Sequence, residues 1–175
     1  MRCNNMVDIG RRQFLRGSAF AVAGTAVAAA LPAEAGAQGN GQGLARIQYP
    51  SNRLANVADL AVNEPFSVSY PDADAPGVLL KLGTRVPDGA GPDGDIVGFV
   101  TVCPHKGFPL SYNSGERVLS CPGHYSRFDV EKGGQQIWGH ATQNLPQYAL
   151  RVDDQGDIYA DAVDELIYGR LSNVL

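Results

Sequence analysis

The sequence predicts an all-β protein, built as an antiparallel sandwich or barrel. Its 21 glycines and 11 prolines make 32 of 175 residues, a share that favours turns and short strands over long helices. Short apolar runs alternate with turns rich in Gly, Pro and Asp, which is typical of antiparallel sandwiches and barrels. A chain of this length corresponds to one domain with a leader.

The first 37 residues predict an export signal. Arg11 and Arg12 precede a weakly apolar, Ala-rich stretch from Gly17 to Leu31, and small-residue A-x-A sites follow at 33–37. A charged start, an apolar middle and a small-residue end form such a signal. The paired arginines followed by Phe-Leu resemble a twin-arginine leader, which implies a periplasmic protein. Since that route exports folded proteins, the leader itself predicts a cofactor inserted before export.

Two alternatives to a cleaved leader stay open. A helix of the mature domain is disfavoured, because the apolar residues show no 3.6-residue period and Gly17 and Gly24 interrupt them. A retained anchor would be short, since a membrane span prefers about 20 apolar residues. No run in the chain reaches that length, so we expect no stable membrane span.

The domain is expected at residues 44–175, after a Gly/Gln/Asn linker at 38–43. The leader holds four of the 14 basic and two of the 18 acidic residues, which leaves ten and sixteen and a net charge of −6. An acidic body without a basic stripe argues against nucleic acid as a partner. Three cysteines are too few for a disulfide-stapled mini-protein.

The apolar runs predict eight strands, each bounded by turn residues such as Asn63-Glu64-Pro65, Asn113-Ser114-Gly115 and Gly133-Gly134. Residues 151–158 resemble a hairpin with a longer loop, and Asp164–Arg170 is expected to form one or two helical turns. In chain order, the predicted strands are Leu44–Tyr49, Phe66–Tyr70, Gly77–Leu82, Asp95–Val102, Arg117–Ser120, Gln135–Trp138, Tyr148–Val152 and Asp157–Ala160.

The metal-binding chemistry lies within 22 residues. Cys103-Pro104-His105 is followed, after fifteen residues, by Cys121-Pro122-Gly123-His124. Each half offers one thiolate and one imidazole from a tight loop that a proline stiffens. Two Cys and two His suit a tetrahedral zinc site or a 2Fe–2S cluster with two thiolates on one iron and two imidazoles on the other. Zinc knuckles usually pair like ligands within one loop, so the mixed loops favour the cluster.

This C-x-H…C-x-x-H motif resembles the Rieske family. The resemblance implies a Rieske-type β-sandwich with a small cluster-binding subdomain of loops at about 99–146, and a Rieske 2Fe–2S cluster. Cys103 and Cys121 would then ligate the inner iron, and His105 and His124 the outer one. Ser126 stands where many members place a hydroxyl that bonds a bridging sulfide. Gly139 to Pro146 is similar to the loop that covers the cluster.

Two departures from the family are informative. High-potential members carry a disulfide between the cluster loops, and its positions here hold Phe108 and Gly123. They also commonly have a tyrosine whose hydroxyl donates to a cluster cysteine, and that position here is Phe128. We therefore expect no disulfide between the loops. We also expect one hydrogen-bond donor fewer to the cysteine sulfur than in the high-potential members.

One branch of the family is most similar, the small Rieske subunits of arsenite oxidase. The resemblance covers roughly residues 44–175, and includes Asn63-Glu64-Pro65, Gly91-Pro92-Asp93 and Leu166–Arg170. It implies an electron-transfer subunit between a large molybdopterin subunit that oxidises arsenite and a cytochrome c-like acceptor. The alternatives are the Rieske subunit of a quinol-oxidising cytochrome bc complex and a structural zinc module.

Three other residues carry weaker expectations. His140, in the presumed covering loop, is expected to be merely solvated. Trp138, the one tryptophan, is expected to pack in the core at a strand end. Phe108, with Pro109, suits either simple packing or a docking surface beside the histidines.

Overall fold

The computed structural model describes residues 46–170, and the predicted leader and linker lie outside them. The described part contains no α-helix, only two short 3-10 turns at Val57–Asp59 and Val130–Lys132. Among these residues, no helix is long and apolar enough to span a membrane. Ten strands are formed: β1 Ile47–Asn56, β2 Pro65–Ser69, β3 Pro76–Lys81, β4 Ile96–Val100, β5 Ser111–Asn113, β6 Val118–Ser120, β7 Arg127–Asp129, β8 Gln135–Trp138, β9 Tyr148–Val152 and β10 Asp157–Val163.

The strands form three antiparallel sheets, which confirms the predicted all-β class. Two sheets have three strands, in the orders β1-β10-β9 and β2-β3-β4, and the third has the order β5-β6-β7-β8. Every residue of β4 is buried, as expected for an unbroken apolar run. Alternate residues of the edge strand β2 are exposed, which is typical of a strand with one solvated face.

Strands with a clear apolar run were predictable. The bounds of β8 and β9 agree with the prediction. Strand β1 begins three residues later than predicted and continues to Asn56, through Pro50, where shifts in its pairing with β10 accommodate the proline. Strands β5 and β7 were not predicted, because each has three residues of mostly polar character.

The predicted helical turns at Asp164–Arg170 are wrong. Asp164 instead exchanges hydrogen bonds with Gln147: its N–H donates to the Gln147 carbonyl over 3.1 Å, and its Oδ1 accepts from the Gln147 N–H over 2.7 Å. Gly169 adopts a left-handed φ of +77°, which ends a helix rather than continues it. Contacts with distant residues therefore replace local helical bonds.

Three loops extend from the sheets and share one apolar core cluster. The first loop, residues 101–110, joins β4 to β5; the second loop, residues 121–126, joins β6 to β7; the covering loop, residues 139–146, follows β8. One core cluster continues into them, because Cys103 and Cys121 are buried together with Phe128 and Leu145. The sheets thus anchor the loops through a shared apolar core.

Candidate metal centre

The first and second loops are closed by the same pair of backbone hydrogen bonds. In the first, the Cys103 N–H donates to the Phe108 carbonyl, and the Cys103 carbonyl accepts from the Gly107 N–H, both over 2.8 Å. In the second, the Cys121 N–H donates to the Ser126 carbonyl over 2.8 Å, and its carbonyl accepts from the Tyr125 N–H over 3.1 Å. Each cysteine is therefore the first residue of an equivalent turn.

The fourth residue after each cysteine has a left-handed backbone. Gly107 has φ +72° and Tyr125 has φ +58°. Glycine adopts this conformation without steric cost, whereas a bulky side chain there is strained. The second loop therefore holds an aromatic residue in the conformation for which the first loop uses glycine.

Cys103 and Cys121 lie side by side in the core, and neither forms a disulfide within the described part of the chain. Burial raises the pKa of the Cys103 thiol, and the neighbouring Cys121 raises it as well. The backbone N–H groups of His105 and Lys106 donate to the Cys103 sulfur and act in the opposite direction, lowering that pKa. The thiols thus face each other in an apolar pocket that already supplies donors to one sulfur.

The imidazoles of His105 and His124 lie nearer the surface. Their ring centroids are 4.7 Å apart, and the rings are close to perpendicular. Within the described residues, the buried Nδ1 of His105 has no hydrogen-bond partner. Burial lowers the pKa of His105, and the nearby His124, His140 and Lys106 lower it further. A neutral imidazole with a buried, unused nitrogen is suited to binding a metal.

His140 contributes a third imidazole beside those of His105 and His124, whereas the sequence predicts that it is merely solvated. His140 is exposed, but its ring stacks at 26° on His105 with centroids 5.7 Å apart. It also lies 5.9 Å from the ring of His124. The course of the covering loop brings it there, and no local pattern in the sequence indicates that course.

Phe108 and Gly123 face each other across the two loops. A Cβ atom built on Gly123 would lie 2.9 Å from Cδ2 of Phe108, so the ring rests directly on the glycine backbone. The Phe108 ring also meets His124 edge to face, with centroids 5.9 Å apart. An aromatic–glycine contact thus joins the loops at the positions where the sequence comparison placed a family disulfide.

Ser126 and Phe128 follow the second loop into the core, and both are fully buried. The Ser126 Oγ accepts a hydrogen bond from the Ala141 N–H over 3.0 Å. Because the oxygen acts as acceptor there, its proton remains available for a second acceptor. Phe128 packs in the cluster that contains both cysteines and has no polar atom to offer them.

Trp138 does not pack in the core, so that expectation is wrong. Its side chain is 67 % exposed, and Tyr125 is 72 % exposed. These two rings, together with His124, Gly139 and His140, line an open cleft of about 440 Å³. Trp138 is the last residue of β8, where it pairs with Arg127 of β7 and turns outward.

The donor set fits a cluster with two metals. The two thiols lie together in the core, and the two imidazoles lie together nearer the surface. Two thiolates for one iron and two imidazoles for the other is the ligand set of Rieske centres, and the unused Nδ1 of His105 is the kind of atom such a set requires.

Comparison with known proteins agrees with this geometry. The family model described as the Rieske [2Fe-2S] domain matches residues 52–149, which include all three loops. Among solved structures, the soluble domain of the Rieske protein II (soxF) from Sulfolobus acidocaldarius superposes with a TM-score of 0.63. At 23 % identity, over 70 % of this chain and 82 % of that one, it shows the same fold.

Three curated relatives match this chain over different lengths. The iodate reductase subunit IdrB of Denitromonas iodatirespirans is 40 % identical over 131 residues, which are 73 % of this chain and 70 % of that protein. IdrB of Pseudomonas sp. (strain SCT) is 39 % identical, over 71 % of this chain and 66 % of its own length. The cytochrome bc1 complex Rieske iron-sulfur subunit of Corynebacterium efficiens is 36 % identical over 39 % of this chain and 17 % of its own length. The chain belongs to the Rieske [2Fe-2S] family, whose Rieske-type cluster is its cofactor.

Proposed function

We propose that Cys103 and Cys121 hold one iron of the cluster and that His105 and His124 hold the other. The buried Nδ1 of His105, which has no hydrogen-bond partner among residues 46–170, supports this most directly. When bound, a Rieske cluster accepts and releases single electrons. The thiolates would sit in the apolar core and the imidazoles towards solvent, so the histidine side is the shorter route for an electron to a partner.

The surrounding residues tune and shield this site. The N–H groups of His105 and Lys106 donate to the Cys103 sulfur, and such donors stabilise the more negative, reduced state. The Ser126 hydroxyl is available for a further bond, since its oxygen already accepts from Ala141. Phe128 excludes water from the thiolate side without donating a hydrogen bond.

We further propose that the chain is the small, electron-transfer subunit of a periplasmic arsenite oxidase. Arsenous acid takes up one water oxygen and releases two protons and two electrons to become arsenic acid. The resemblance implies that this chemistry takes place in a large molybdopterin subunit, with which this chain would assemble. This chain would pass the electrons, one at a time, towards a soluble cytochrome c or a similar acceptor.

The sequence resemblance to arsenite oxidase small subunits carries this proposal, and the IdrB relatives favour a second candidate. Iodate, like arsenate, is an oxyanion, and 40 % identity to an iodate reductase subunit supports an equivalent role with the opposite electron flow. Co-expression with the large subunit separates the two. Arsenite-dependent reduction of cytochrome c supports the oxidase, and iodate-dependent oxidation of a reduced dye supports the reductase.

A quinol-oxidising cytochrome bc complex is the weaker alternative. The bc1 relative matches only 39 % of this chain, and Phe108 and Gly123 occupy the positions assigned to the loop disulfide. A structural zinc module is tested by metal analysis, since the cluster proposal requires iron and acid-labile sulfide in the purified protein.

Export by the twin-arginine route belongs to the same proposal. Arg11→Lys with Arg12→Lys is expected to retain the protein in the cytoplasm, and the mature form is expected to begin near residues 36–40. Fractionation followed by N-terminal sequencing tests this. A chain that keeps its first residues and sediments with membranes would instead support a retained anchor.

A further inference from the structure

Residues 164–170, the C-terminal brace, run past the first loop and are fixed at both ends. Asp164 exchanges two hydrogen bonds with Gln147, of 3.1 Å and 2.7 Å. At the other end, the Arg170 guanidinium donates two hydrogen bonds to the Asp72 carboxylate. Ile167, between them, is buried in a core cluster of the sheets. The brace therefore has a defined position relative to the framework.

The ring of Tyr168 rests on the first loop. A Cβ atom built on Gly107 would lie 2.8 Å from Cε1 and 3.1 Å from Cδ1 of Tyr168. The same glycine donates its N–H to the Cys103 carbonyl over 2.8 Å. Tyr168 is 41 % exposed, so one part of its ring faces solvent while another part covers the loop.

The conformation of the first loop determines which donors reach the Cys103 sulfur. His105 and Lys106 both lie inside the turn that Gly107 closes onto the Cys103 carbonyl, and backbone hydrogen bonding from both residues lowers the pKa of the Cys103 thiol. Hydrogen bonds to cluster sulfurs are among the levers that set a Rieske potential. A contact that holds this turn in place therefore acts on the potential without touching the sulfur.

We propose that Tyr168 is a positioning residue for the cluster: anchored by the brace, its ring holds the Gly107 turn so that the His105 and Lys106 amides keep pointing at Cys103. The inference rests on the proposed role of Cys103 as a ligand. The planar ring performs this task and the hydroxyl does not, because the contacts to Gly107 come from ring carbons.

The midpoint potential of the purified holoprotein, followed by electron paramagnetic resonance, tests the inference. Tyr168→Ala is expected to lower the potential, because the loosened amides stabilise the reduced state less. It is also expected to speed cluster loss to an iron chelator several-fold. Tyr168→Phe should keep both wild-type values. Leu166→Ala is the matched control, since Leu166 belongs to the same segment and is 59 % exposed.

A wild-type potential and chelation rate in Tyr168→Ala would overturn the inference, even if its melting temperature fell, because that pattern shows a merely structural role. If Tyr168→Ala does not fold, Tyr168→Leu retains apolar packing without the planar ring, and the same decrease is expected. A wild-type protein without a Rieske signal would overturn the proposed cluster as well, whereas a normal wild-type signal with an unchanged Tyr168→Ala would overturn only the role of Tyr168.

Discussion

The ring of Phe108 lies on the backbone of Gly123, and this contact joins the two loops that carry Cys103 and Cys121. The glycine leaves no side chain between the loops, and the phenylalanine fills that space while also meeting the edge of His124. Packing of a large side chain against a small residue thus links the loops without a covalent bond.

Phe108→Cys combined with Gly123→Cys is expected to form a disulfide in the folded, exported protein. The loops already approach at these positions, and closing a loop covalently stabilises by restricting the unfolded chain. We expect a higher melting temperature and a smaller change in potential, since the added sulfurs are not ligands and carry no charge. Thiol titration with and without reductant measures the bond, each single variant being the control. Two free thiols in the folded double variant would contradict the inferred loop geometry.

Substitutions at Ser126 and Phe128 should change the reduction potential in opposite directions. Phe128→Tyr adds a donor close to the buried cysteines and should raise the potential, whereas Ser126→Ala removes one and should lower it. Each change is expected to be tens of millivolts, because a hydrogen bond of ~1 kcal/mol corresponds to ~43 mV for one electron. A redox titration measures both, with Ser111→Ala as the exposed-serine control.

Ser126→Ala has a second consequence, since it leaves the buried N–H of Ala141 without its acceptor. We expect a loss of roughly 1–3 kcal/mol of stability, the usual cost of an unsatisfied buried donor. An unchanged potential in Phe128→Tyr, with its hydroxyl bonded to the cysteine sulfur, would contradict the reasoning on donors.

Tyr125→Gly is expected to stabilise the fold by about 1 kcal/mol. The residue has φ +58°, and relief of left-handed strain at a non-glycine residue is worth on the order of 1–2 kcal/mol, less the entropy that glycine loses on folding. Chemical denaturation measures the change. Asp88→Gly is the matched variant, because Asp88 is also a non-glycine residue with a left-handed backbone, at φ +54°. Its carboxylate lies 3.8 Å from Arg46. A destabilised Tyr125→Gly would show that the exposed ring contributes more than its backbone costs.

Asp157 should make the fold sensitive to acid. Hydrogen bonds from Arg53 and then Asn56 lower the pKa of this carboxyl to about 2. Its ordinary pKa is near 3.8, so the unfolded chain binds the proton more readily than the folded chain. The stabilisation is therefore complete above pH ~4 and is lost as pH falls towards ~2. Asp157→Asn should flatten the pH dependence of the melting temperature in this range, and an unaltered dependence would contradict the assignment.

The predictable part of the fold is the part encoded by local apolar runs. Strands β8 and β9 have the predicted bounds because apolar residues and turns delimit them. The three-residue strands β5 and β7 are mostly polar, and they exist because both pair with β6. The prediction of helical turns at 164–170 is wrong because the hydrogen-bond partners of this segment, Gln147 and Asp72, are distant in sequence.

The candidate site also has a part that local sequence features predict and a part that they do not. The spacing of the cysteines and histidines predicts both loops, since the residue types and the short turns are local features. His140 and the outward-facing Trp138 depend on the path of the covering loop, which spacing does not encode. The left-handed backbone of Tyr125 becomes apparent only when its turn is compared with the turn that contains Gly107.

Electron paramagnetic resonance of the reduced, purified protein tests the central claim most directly. Two thiolates and two imidazoles on a mixed-valence iron pair predict the low average g-value of Rieske centres. His105→Ala and His124→Ala should each abolish that signal, whereas His140→Ala, which removes the third imidazole of the same surface, should retain it. Survival of the signal in either ligand variant, or zinc in place of iron in the wild-type protein, would contradict the account.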